Sequence, residues 1–137
     1  DLVSLIMAVV GEIGNNSFDH NIGRWRDVPG VFFALDEVNR AIILSDRGQG
    51  VRSTLQRVAP SISDDNDALK VAFTERISGR SPEKRGNGLK LVKKVIEERR
   101  LYLEFYSGDA VAKISGNEMT IKKSNFNIPG TFTYLKF

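Results

Sequence analysis

The sequence has no cysteine. A disulfide scaffold, thiolate-bound zinc, iron–sulfur clusters and thiol catalysis are therefore excluded. His20 is the single histidine, so any site that needs two is excluded as well. Neither sign of charge dominates. Twenty Lys and Arg against 17 Asp and Glu leave a net charge of +3, too little on its own to argue for nucleic acid or an anionic membrane. Long apolar runs are also missing: the longest, Leu5 to Val10, falls far short of a bilayer span. No leader is visible, but a chain that opens at Asp1 is compatible with an excised domain, so this says little. No internal repeat and no low-complexity tract is present. What is there is ordinary for one globular domain, with 41% hydrophobic and 27% charged residues in a chain of 137. That length can bury a core without staples.

Asp1 is a good helix cap, and Leu2 to about Asn21 has the spacing of a helix, with Leu2, Leu5, Ile6, Val9 and Ile13 recurring on one side. Val31–Leu35 and Ala41–Leu44 predict a hairpin around a polar turn near residues 37–40. Gly48 and Gly50 end the second strand. Short helices are predicted at Val51–Val58, stopped by Pro60, and at Asp65–Ile77. Ser78 to Gly86 has loop composition. A third long helix carries Leu89, Val92, Val95 and Ile96 on one face. The C-terminal part predicts strands at Leu101–Tyr106, Ala110–Ile114, Met119–Lys122 and Thr131–Phe137, with turns at Gly108-Asp109 and Gly116-Asn117. The fold class is α/β (α+β): a two-layer sandwich with a mixed, mainly antiparallel sheet and helices packed on one face.

Three features carry chemistry. The inward face of the first helix, continued from Leu2, Leu5 and Val9, meets Glu12, Asn16 and His20 at i, i+4 and i+8. Inward polar groups need partners or a ligand; the other reading is a helix end emerging into solvent. Asp46-Arg47-Gly48-Gln49-Gly50 follows an apolar strand. The acid can accept a hydrogen bond and the glycines admit a flat group, although many such strings are plain turns. Gly86-Asn87-Gly88-Leu89 opens a helix, where N–H groups can face an anion. Arg76, Arg80, Lys84 and Arg85 surround it with positive charge. Its other reading is a surface loop with solvated charges. No Gly-x-x-x-x-Gly-Lys-[Ser/Thr] is present, so this is not a P-loop protein. Asp64-Asp65-Asn66-Asp67 lacks the remaining ligands of a calcium loop and reads as a helix start.

The order of these pieces, closed by Gly130-Thr131 in the last strand, resembles the Bergerat-type (GHKL) ATP-binding domain. Histidine kinases, anti-sigma-factor serine kinases, gyrase, the large chaperone ATPases and the mismatch-repair ATPases share it. The resemblance spans 1–137 as a single histidine-kinase-like ATP-binding domain, with a lid loop at about 78–88. It implies the following roles. Asn16, in the E-x-x-x-N box, would hold Mg²⁺ bridging the phosphates of ATP, and Glu12 would be the base or water-orienting carboxylate. Asp46 would accept the adenine amino hydrogen over a floor shaped by Gly48 and Gly50. Gly86 and Gly88 would lie against the phosphates, with Arg85 and Leu89 in the same box. Thr131 would sit near the base. Phe73 resembles the aromatic residue before the lid.

There are departures. Asp19 stands where histidine kinases usually carry a basic residue, and His20 completes an E-x-x-x-N-x-x-x-H pattern seen in anti-sigma-type kinases. Lys90 replaces the third glycine of Gly-x-Gly-x-Gly; it would reach a phosphate or point to solvent. No dimerisation helix pair with a phosphoacceptor histidine is present.

The activity implied is transfer of the γ-phosphate to a protein acceptor, His or Ser, in bacterial signal transduction. The alternatives are a conformational ATPase and a nucleotide-sensing module without turnover. The partners implied are ATP or ADP and a phosphoacceptor or regulatory domain, without nucleic acid or membrane contact by this segment. The location implied is the cytoplasm, alone or as the cytoplasmic domain of a larger protein.

Overall fold

The computed structural model describes residues 1–19, 30–75 and 88–137. Helix α1 (Leu2–Asp19) starts where expected, because the Asp1 carboxylate accepts from the Ser4 N–H at 2.8 Å, satisfying one of the orphan donors of a helix start. Strands β1 (Val31–Asp36) and β2 (Ala41–Asp46) form the expected hairpin. Helix α2 (Gly50–Leu55) is shorter than predicted. Helix α3 (Asp65–Thr74) is capped by Asp64, whose carboxylate accepts from the Asp67 N–H at 2.8 Å, so the acidic run is a helix start. Helix α4 (Gly88–Arg99) pairs Lys93 with Glu97 at 2.6 Å on its outer side.

The C-terminal part departs from the predicted four short strands. It forms two long ones, β3 (Tyr102–Ser115) and β4 (Glu118–Lys136). Gly116-Asn117 is a turn as expected, but Gly108-Asp109 is an irregularity within β3. The Asp65 carboxylate of α3 accepts from the Asp109 N–H at 3.0 Å. That bond satisfies a donor the bulge removes from the ladder, so the strand continues instead of turning.

The sheet order is β1-β2-β4-β3. Every pairing among the described residues is antiparallel, so the expected mixed component is absent there. The chain is α+β. Its core lies between the sheet and the helices, with Ile42, Leu44, Leu103, Phe105 and Leu135 meeting Val9, Ile13, Leu69, Phe73, Val92 and Ile96. Phe73 is fully buried, edge-on to Phe105 with centroids 5.5 Å apart. The chain's last strand, β4, is thus central. It lies between β2 and β3, and its residues reach both the core and the end of β2.

Among the described residues no helix is long and apolar enough to cross a membrane. His20, Arg85, Gly86 and the lid up to residue 87 lie outside the described residues.

Candidate nucleotide site

The buried stripe of α1 runs through Ile6, Val9, Ile13 and Ser17. This corrects the predicted line through Leu2, Leu5 and Val9 to Asn16. Leu2 and Leu5 are half-buried, and so are Glu12 and Asn16. The two polar residues therefore flank the core-facing stripe rather than continuing it, and they remain accessible to a ligand.

Asp46 ends β2 opposite Thr131 of β4, and it is only 6% exposed. Its Oδ2 accepts from the Thr131 hydroxyl at 2.5 Å and the Ser17 hydroxyl at 2.9 Å. Its Oδ1 accepts from the Gly48 N–H at 2.8 Å. Burial of a carboxylate is costly unless donors replace water. Here α1, β4 and the glycine loop each supply one. A carboxylate offers about four acceptor positions, so Oδ1 keeps capacity for a further donor such as an exocyclic amine.

The loop after Asp46 is anchored from the other side. Gly50 has φ +75°, the left-handed region that favours glycine, and it opens α2. The next N–H, of Val51, donates to the Ser107 hydroxyl at 2.9 Å. That hydroxyl in turn donates to the Gly130 carbonyl at 3.0 Å. Ser107 is itself buried. It thereby fixes the start of α2 to both β3 and β4.

The second cluster joins distant parts of the chain. A methyl group added at Gly88 would collide with the Glu12 carboxylate and stand 3.7 Å from the Asn16 amide nitrogen. The first turn of α4 thus lies directly against the E-x-x-x-N segment of α1. A side chain at 88 would displace the Glu12 carboxylate, which occupies its place. The positive end of a twelve-residue helix therefore meets an acid and an amide.

The remaining predicted residues divide. Leu89 is a core residue that anchors α4. Lys90 lies on α4 with its ammonium 3.5 Å from the Ala72 carbonyl of α3. Among the described residues no three acidic, histidine or cysteine side chains converge on a metal site. A divalent ion here would draw mainly on phosphate and water, with an amide oxygen such as that of Asn16 as a protein ligand; that fits Mg²⁺, which keeps several waters.

Two residues of the site were not anticipated, Ser17 and Ser107. Ser17 stands four residues past Ile13 on the buried stripe, so its position was available from periodicity. Ser107 offered no such signal: it becomes special only through the pairing of β3 with β4.

No family model matches the sequence, and no curated protein matches it. Solved structures do. The ATPase region of Saccharomyces cerevisiae topoisomerase II bound to ICRF-187 (dexrazoxane) superposes with a TM-score of 0.54 at 15% identity, covering 95% of this chain and 36% of that one. The topoisomerase IV ATP-binding domain of Francisella tularensis, in complex with a small-molecule inhibitor, gives 0.50 at 18% identity, covering 93% and 34%. This chain spans about a third of the length of those chains. At such identities the likeness is one of fold: the architecture is the Bergerat fold of those domains.

Proposed function

We propose that this chain binds Mg·ATP, with Asp46 reading the adenine amino group and α4 receiving the phosphates. The carrying observation is the Asp46 carboxylate, held by Ser17, Thr131 and Gly48 with one acceptor position to spare. The likeness to the ATPase and ATP-binding domains supports it. Asn16 would hold the ion, which when bound neutralises phosphate charge. Glu12, set against Gly88, faces the place where the end of the phosphate chain would lie.

We take the γ-phosphate to pass to a hydroxyl or imidazole of a protein partner. The bond from phosphorus to the ADP oxygen breaks as the acceptor's bond to phosphorus forms, and Glu12 takes the acceptor's proton. A second reading has water as the acceptor; it is favoured by the ATPase regions that share the fold.

Calorimetry with ATP, with and without Mg²⁺, tests binding. The parent should bind more tightly with Mg²⁺, and Asn16→Ala should lose that enhancement while still folding. Absence of ATP binding by the parent defeats the whole reading. The fate of ³²P from γ-labelled ATP then separates the two activities. Label on a partner protein supports transfer, and free phosphate alone supports hydrolysis.

A further inference from the structure

The sheet has two edges, and they are treated differently. The β3 edge is interrupted by the irregularity at Gly108 and carries Glu104 paired with Lys113 at 2.7 Å. Bulges and charges of this kind keep an edge from pairing with another chain. The β1 edge has neither. Val31-Phe32-Phe33-Ala34-Leu35 contains no charge and no proline, and Asp36 is the first ionised residue of the strand. Phe32, Phe33 and Leu35 are 58%, 54% and 50% exposed. Among the described residues no strand pairs with the far side of β1.

The direction of its free backbone groups follows from the ladder. Arg47 N–H donates to the Gly30 carbonyl at 3.0 Å, and the register pairs Val31 with Asp46 and Phe32 with Ser45. Hydrogen-bonded and non-hydrogen-bonded pairs alternate. Phe32, Ala34 and Asp36 therefore bond to β2. Val31, Phe33 and Leu35 turn their N–H and C=O outward.

We infer that β1 pairs antiparallel with β1 of a second copy, about a two-fold axis through Phe33, making one eight-stranded sheet. In that register Val31 meets the partner's Leu35 and Phe33 meets the partner's Phe33. Every outward donor and acceptor of the strand is then satisfied. The side chains agree on both faces: Phe33 sits on its own copy on the helix side, and Phe32 sits on the partner's Ala34 on the other. No charge faces a charge, because Asp36 falls outside the bonded pairs. An edge that is complementary to itself under a two-fold is what an isologous dimer requires. The contact needs no nucleotide and is independent of the proposed activity.

Sedimentation across the micromolar range, without nucleotide, tests this. The parent should be a dimer. Phe33→Pro removes only an outward N–H, leaving the bonds to β2 intact, and should raise the dissociation constant about 30-fold or more. Because the protein has no cysteine, a single Phe33→Cys places two thiols opposite each other. The Cα separation of about 5.5 Å in a bonded pair suits a disulfide. Mild oxidation should link Phe33→Cys to its copy but not Phe32→Cys, whose own copy lies too far along the strand. A monomeric parent overturns the proposal. So does a dimer that Phe33→Pro leaves intact, or a Phe33→Cys variant that links no better than Phe32→Cys. If Phe33→Pro fails to fold, Phe33→Lys with the cysteine pair decides in the same way.

Discussion

Asp46 accepts from three elements that are remote in sequence. Asp46→Asn replaces an acceptor with a group that must turn an NH₂ toward the Ser17 and Thr131 hydroxyls or toward the Gly48 N–H. Loss of a charged acceptor costs about 1.5–3 kcal/mol, so ATP affinity should fall roughly ten- to hundredfold. Calorimetry on a variant with a parent-like circular dichroism spectrum checks this, and unchanged affinity would remove Asp46 from the adenine role. Much of this site was legible in the sequence. The order of an acid at a strand end before glycines, and of Glu12 and Asn16 on one side of α1, could be read along the chain. Contacts that exist only because strands pair were not legible: Ser107 matters through its place beside Gly130, which no spacing along the chain reveals.

At the scale of elements, β3 holds a polar cluster on the sheet face away from the helices. The Glu104 carboxylate accepts from the hydroxyls of Tyr102 and Tyr106 and from the Lys113 ammonium. Burial works to raise its pKa, but these three hydrogen bonds outweigh burial and hold it at about 2, against an ordinary 4.5. A depressed carboxyl stabilises the fold above its ordinary value, and that contribution is lost as the pH falls from 4.5 through 2. Glu104→Gln should therefore be less stable than the parent at neutral pH, by about 1–2 kcal/mol. The gap should close progressively below pH 4.5. Urea titrations of both proteins at several pH values measure it; a gap that stays constant down to the acid limit would show that the cluster is not the cause. The same strands show where element-level reading fails. Gly108-Asp109 has the composition of a turn, yet the chain runs straight through, since Asp65 of a distant helix takes up the Asp109 N–H. The helices were more legible, because their apolar spacing and the caps at Asp1 and Asp64 are local.

For the molecule as a whole, the described helices, the hairpin and the helical layer follow from apolar periodicity, whereas strand order does not. Nothing in the composition of Glu118–Lys136 announces that this segment lies between β2 and β3. That insertion has a consequence for the protein's synthesis. Ser17, Asp46 and the Gly48 loop leave the ribosome first, but Thr131 follows Asp46 by 85 residues, and β2 has no inner neighbour until β4 enters beside it. A nascent chain therefore remains an incomplete sheet until β4 has emerged, and on the proposed reading it holds no nucleotide before then. Contacts this distant in sequence also form slowly. Chains stalled on the ribosome with residue 117 just exposed should show no ATP-dependent protection from protease. Chains stalled with residue 137 well clear of the exit tunnel should show it in full. Protection of the shorter chain would mean that the carboxylate is already held without its last donor.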